Sequence, residues 1–238
     1  MSENLAVTGI TNQLCQPVST LFEDEEIKVL WHRGTSDFLL ITFGDMVTLA
    51  QGDRFFADAP VKRLAINCIG FMSKRPNWFP VTSVAKALSE ILPVISKFTK
   101  IVNYGGSMGG YAAIKYSRRT GATSTIAFCP QWTIDKKECN GKDPGYQQHY
   151  ASYLDDMSIT KHDISGDIYM LYDPDHVLDS FHASKILALG PSIKEIPTRS
   201  SDHHVTMILA GTSNLEQLIQ LSLQNDLQGF SSLASQVR

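Results

Sequence analysis

Three things are scarce in this chain of 238 residues: long apolar runs, clustered positive charge and paired cysteines. No segment approaches the about 20 apolar residues needed to span a bilayer, so no membrane contact is expected. Lysine and arginine never exceed the pairs Arg118-Arg119 and Lys136-Lys137, and 21 basic against 24 acidic residues leave a net charge of −3. That balance carries no footprint for nucleic acid. The four cysteines, Cys15, Cys68, Cys129 and Cys139, form no Cys-x-x-Cys pair, and Cys68 and Cys129 end apolar runs, so they read as core thiols in a reducing compartment. The first twenty residues have Glu3, no basic cluster and no apolar stretch of seven, which leaves out the parts of a secretory signal and points to the cytoplasm. Outside the pair at 203 and 204, the histidines (His32, His149, His162, His176, His182) show no metal-ligand spacing such as His-Glu-x-x-His, so neither metal nor cofactor is expected. No repeat, low-complexity tract or linker divides the chain, and no feature sets its oligomeric state.

What is present is an alternation of short apolar runs with helical patterns. After a polar arm (residues 1–25), strands are expected at 27–31, 38–43, 64–69, 100–104, 124–129, 168–172 and 192–197, the first two as a hairpin or as neighbours. Helices are expected at 81–98, after residue 107 and closed by Gly121, then at 181–189, 205–210 and 214–223. In the first of these Val84, Leu88, Ile91 and Ile95 form one apolar stripe, and Pro93 removes a backbone donor that should kink or shorten it. Such alternation implies βαβ units: an α/β domain over 26–238, a mostly parallel sheet with helices on both faces, a three-layer sandwich. Residues 131–166 are polar and read as a small insertion.

The most informative stretch is Tyr104-Gly105-Gly106-Ser107-Met108-Gly109-Gly110. It places one serine between glycines where an apolar strand meets a helix. So sharp a turn strains its central residue, and the flanking positions must lack bulk for strand and helix to approach. A phosphate-binding turn fits less well. A P-loop needs Gly-x-x-x-x-Gly-Lys, yet no lysine follows until Lys115, and Ser107 stands where a dinucleotide fingerprint needs its second glycine.

With the strand before it and the helix after it, Gly105-Gly106-Ser107-Met108-Gly109 resembles the nucleophile elbow of the α/β-hydrolase superfamily. The resemblance extends over most of the chain from about residue 26. It implies an α/β-hydrolase fold without a large cap domain, and a triad in the chain order Ser, then Asp or Glu, then His. Ser107 is the nucleophile on this reading. The acid belongs on the loop Asp173-Pro174-Asp175-His176-Val177-Leu178-Asp179. Asp175 fits best because Val177 supplies the apolar residue two positions on, with Asp173 and Asp179 as alternatives and Asp179 also suited to capping the next helix. The base belongs on the loop Thr198-Arg199-Ser200-Ser201-Asp202, which leads to His203 and His204; His203 is favoured because His204 lies nearer the helix, although Asp202 stands where glycine is common. By the same resemblance the oxyanion would be held by the backbone amides of Met108 and of Asp45 or Met46, each worth roughly 3 kcal/mol.

These residues imply a serine hydrolase acting on an acyl ester carried by a small molecule or a glycan, with no nucleic-acid or membrane partner. Acyl transfer from the same acyl-enzyme is the alternative chemistry, and a non-catalytic binding module of the same fold is the alternative without chemistry.

Overall fold

A computed structural model describes residues 17–154 and 156–236. Eight strands form one sheet: β1 Ser19–Glu23, β2 Ile27–His32, β3 Leu39–Phe43, β4 Asn67–Ser73, β5 Ile101–Gly106, β6 Ser124–Phe128, β7 Asp167–Tyr172 and β8 Ile193–Pro197. Their spatial order is β1-β2-β4-β3-β5-β6-β7-β8. From β4 to β8 every pairing is parallel; β1 with β2 and β2 with β4 are antiparallel. The central strands β3 to β6 are buried along their whole length, as strands covered on both faces must be.

Two expectations are corrected here. Strands β2 and β3 are neither a hairpin nor neighbours, because β4 lies between them. Once β3 runs parallel to β4, the chain from β3 must cross back over the sheet, and it does so through α1 (Asp58–Arg63). The polar arm is also shorter than its composition suggests. Residues 19–23 pair with β2 at the sheet edge, so the sheet begins before residue 26, and residues 1–16 of the arm lie outside the described residues.

Helices α2 (Val81–Ile95), α3 (Met108–Lys115), α4 (Ser117–Thr120), α5 (Val177–Leu187), α6 (Val205–Ile208), α7 (Thr212–Gln224) and α8 (Leu227–Ala234) complete the chain. Side-chain alternation assigns two of them to opposite faces. Asn103 of β5 donates to the Ala113 carbonyl of α3 at 2.9 Å, whereas Ser124, which pairs with Val102 one residue earlier, meets Ser222 of α7 at 3.2 Å. Neighbouring strand residues point to opposite sides, so α3 and α7 sandwich the sheet as a three-layer arrangement. On the α3 face an aromatic cluster fills the core: Phe43 stacks on Phe71 at 5.0 Å and meets Phe79 edge-on at 5.5 Å. On the other face Phe230 of α8 stacks on Tyr169 at 4.4 Å.

Helix α2 ends two residues beyond Pro93, which agrees with a proline that shortens it. Helix α5 starts at Val177 rather than near 181, and that early start matters for the site. Residues 131–166 hold two short 3-10 turns, Gln147–His149 and Ser152–Leu154, and no strand among the described residues. No helix among the described residues is long and apolar enough to cross a membrane.

Candidate active site

The site is built at the carboxyl ends of the central strands. Strand β5 runs into α3 through Ser107, whose φ of 51° and ψ of −118° place a non-glycine residue in a sparsely populated backbone region. Three glycines permit this. A β-carbon at Gly105 would strike the Gly109 carbonyl, one at Gly109 would strike the Phe43 carbonyl, and one at Gly110 would lie 2.9 Å from the Phe128 carbonyl. Every obstacle is backbone, so no side-chain adjustment relieves it. The amide of Ser107 donates to Phe128 at 2.8 Å, and its carbonyl accepts from Tyr111 at 2.9 Å, which fixes the turn from both sides.

The Ser107 hydroxyl oxygen lies 3.1 Å from His203 Nε2. His203 Nδ1 lies 2.8 Å and 2.9 Å from the two carboxylate oxygens of Asp179. The structure thus brings Ser107 and His203 together, and His204, the alternative to His203, is exposed.

The acid is a correction. Asp175 is exposed and pairs with exposed Arg199 at 3.2 Å, away from the imidazole. Asp179, 3% exposed, is the carboxylate that lies against the imidazole. The reason lies in where α5 begins. With His176 as the N-cap, accepting from the Asp179 amide at 3.2 Å, the chain turns into helix before it has passed the imidazole, and the third helical residue faces His203.

Asp173 has a different task. Buried at the end of β7, its carboxylate accepts from the amides of Asp175 (3.0 Å), Ser201 (2.9 Å) and Asp202 (2.8 Å), and so ties the acid loop to the histidine loop. Burial alone would raise this carboxyl, but the three amide donors and nearby His176 outweigh it and hold the group below its ordinary value. Asp202 stands where glycine is common because its φ is 52°, a conformation aspartate tolerates better than most residues.

Under the Asp179 carboxylate lies Cys129. Burial, with the charge of Asp179, pushes its thiol well up, so it remains protonated. Among the described residues Cys129, Asp179 and His203 form one group with the composition of a metal-ligand set, their ligand atoms within 4.8 Å of one another. The His203 and Asp179 atoms of that group already bond to each other.

Further side chains at Ser107 were not marked by sequence reasoning as part of its chemistry. Gln131, fully buried, donates from Nε2 to the Ser107 hydroxyl at 3.2 Å and to the Cys129 carbonyl at 3.2 Å, while its Oε1 accepts from Trp78 Nε1 at 3.2 Å. Trp78 and Phe79 both have positive φ (49° and 53°); Asn77, which bonds Glu26 and the Phe79 amide, and the Tyr116 hydroxyl hold that strained loop in place. Tyr146, in the insertion, brings its hydroxyl to 3.3 Å from His203 Nε2 and rests on Trp78 at 5.7 Å between ring centroids. No sequence signal identifies Gln131 or Trp78, since Gln131 reaches Ser107 and Trp78 reaches Gln131 from loops after different strands.

The amides expected to hold the oxyanion are those of Met108 and Asp45. Because Gly109 abuts the Phe43 carbonyl, the loop after β3 emerges beside the first turn of α3, where Met108 lies. Gly44 spends its amide on Phe71 (2.9 Å), and the Asp45 carboxylate folds onto its own loop, accepting from Val47 (3.0 Å) and Thr48 (2.6 Å). The side chain is therefore occupied within its turn.

Neither protein-family models nor curated protein sequences give a match to this chain. Solved structures do. The chain is similar to the capsule O-acetyltransferase of Neisseria meningitidis serogroup A (13% identity, TM-score 0.57, covering 85% of this chain and 93% of that one). It is also similar to a 2,6-dihydroxy-pseudo-oxynicotine hydrolase (15% identity, TM-score 0.59, 87% and 67% covered) and to an esterase of Pyrococcus furiosus (14% identity, TM-score 0.53, 87% and 88% covered). With its strand order and the turn at Ser107, the chain has an α/β-hydrolase-like fold. These structural neighbours are thus an O-acetyltransferase, an esterase and another hydrolase.

Proposed function

We propose that this chain is a serine hydrolase that cleaves an acyl ester through an acyl-enzyme, with Ser107 as nucleophile, His203 as base and then acid, and Asp179 as the carboxylate that orients His203. The observation that carries this is the unbroken line of short contacts from Ser107 through both nitrogens of His203 to Asp179. A serine hydroxyl is a weak nucleophile until a base accepts its proton, and the carboxylate at Nδ1 keeps Nε2 free to do so. The developing oxyanion would meet the amides of Met108 and Asp45. Water then attacks the acyl carbon and gives a proton to His203, and as the bond to Ser107 Oγ breaks and the acid leaves, His203 returns that proton to Oγ.

The substrate we favour is an acyl ester on a small molecule or a glycan, since the insertion is too small for a large cap. The buried thiols of Cys68 and Cys129 suit a reducing compartment, in keeping with a cytoplasmic enzyme. Acyl transfer is the second reading. It draws support from the O-acetyltransferase among the structural neighbours.

A fluorophosphonate probe tests the nucleophile directly. Wild-type protein should label at Ser107 and hydrolyse 4-nitrophenyl acetate; Ser107→Ala should lose both while melting at the same temperature. Folded wild type that resists the probe would reject the reading in favour of a binding module. Product partition with added alcohols then separates transfer from hydrolysis.

A further inference from the structure

In an acyl-enzyme mechanism the histidine that takes the serine proton must later hand it to the departing alcohol oxygen, so that oxygen sits within hydrogen-bond reach of Nε2 and close to the serine oxygen. The structure sets one side-chain hydroxyl next to that place. The Tyr146 hydroxyl lies 3.3 Å from His203 Nε2 and interacts with the Ser107 hydroxyl.

Its position is specified rather than incidental. Gly145 and Tyr146 are successive residues of positive φ (69° and 57°), and the Gly145 amide is held by Asp143 at 2.8 Å. The ring is bracketed by Trp78 (5.7 Å) and His203 (6.1 Å), and Trp78 is itself tied to Gln131, which reaches Ser107 from the other side. A bulky residue in a strained conformation persists only where its surroundings over-determine it. Burial, with Asp179 nearby, raises the phenol above its ordinary value, so it keeps its proton at neutral pH.

We propose that Tyr146 is a catalytic residue that donates a hydrogen bond to the alcohol oxygen of the ester, and that the site is therefore built for acyl esters of unactivated alcohols such as sugar hydroxyls. This rests on the Ser107–His203–Asp179 reading. As Ser107 Oγ bonds to the acyl carbon, its proton passes to His203 Nε2. The carbon–oxygen bond to the alcohol then breaks, its electron pair goes to that oxygen, and the oxygen takes the proton from Nε2 while the Tyr146 hydroxyl donates to it and keeps its own. An aliphatic alkoxide needs this help; a nitrophenolate leaves with little.

The test is a series of acetyl esters whose leaving groups run from 4-nitrophenol to aliphatic alcohols, with kcat/KM measured for wild type and Tyr146→Phe. The loss should grow along the series and be about 100-fold larger for the aliphatic ester than for the 4-nitrophenyl ester. Tyr146→Leu, which removes ring and hydroxyl together, should steepen the dependence in the same direction. A loss of equal size across the series in both variants, or no loss in either, would overturn the proposal and leave Tyr146 a packing residue. Fluorophosphonate labelling at Ser107 keeps the two readings apart: failure of wild type to label would sink the triad, whereas labelled variants with a flat series sink only Tyr146.

Discussion

The assignment of Asp179 rather than Asp175 as the orienting acid makes opposite predictions for two neighbouring, chemically equal substitutions. In Asp179→Asn the shape is kept, but the carboxamide would turn an N–H toward His203 Nδ1, now 2.8 Å from a carboxylate oxygen. Nδ1 must then accept, the ring proton moves to Nε2, and the nitrogen 3.1 Å from Ser107 can no longer take the serine proton. Loss of the correct tautomer in such a triad costs about 10⁴-fold in kcat. That corresponds to roughly 5 kcal/mol of transition-state stabilisation. Asp175 is different: it is 72% exposed and its partner Arg199 is 70% exposed. A pair of that kind is worth about 0–1 kcal/mol and touches nothing that reacts, so Asp175→Asn should hold kcat within about twofold. The assay is initial-rate hydrolysis of 4-nitrophenyl acetate by both variants, with fluorophosphonate labelling rates and a thermal melt as controls for the nucleophile and the fold. Activity within tenfold of wild type in a folded Asp179→Asn would refute the assignment, and a collapse in Asp175→Asn would point to the loop residue instead.

Two further predictions follow from packing and from burial. Gly109→Ala should drive its β-carbon into the Phe43 carbonyl and part β3 from α3, costing about 3 kcal/mol; for a chain of this size that is roughly 10 °C in melting temperature, and an unchanged melt would disprove the close approach. His182 is buried and neutral, accepting from the Trp132 amide at 3.1 Å and donating to the Pro144 carbonyl at 2.7 Å, and burial lowers its pKa. Its folded value lies below the unfolded one of about 6.5, so the unfolded chain binds the proton first and stability should fall as pH drops below about 6.5. Melts from pH 8 to 5 should show this slope flattened in His182→Gln; identical slopes would mean that another group is titrating.

Much of the architecture was legible because it is written in local periods. The alternation of apolar runs and amphipathic stretches gives the strands and most helices, and Pro93 shortens α2 where a missing backbone donor says it should. Gly105, Ser107 and Gly109 identified the turn because their demand is local: within five residues only glycine allows strand and helix to meet. His203 was legible for a similar reason, as a histidine on the loop between the last strand and an apolar helix. Helix α8 and strand β1 escaped notice, β1 because an edge strand with exposed residues carries no clear alternation.

What the sequence by itself determined, then, is which residues form the turn at Ser107 and that the chain alternates strand and helix. Which strand lies beside which was decided by the tertiary fold, since β4 inserts between β2 and β3 through pairings that no short window contains. The partners of Ser107 were decided there too. Asp173, Asp175 and Asp179 have the same chemistry and lie within seven residues of each other; the fold gave one to the amides of a neighbouring loop, one to solvent and one to the imidazole. Gln131 meets the Ser107 hydroxyl, Trp78 holds Gln131, and Tyr146 meets His203, each from a separate loop. A local pattern fixes backbone conformation over a few residues, whereas a site is a set of distances between side chains far apart in the chain, and only packing sets those.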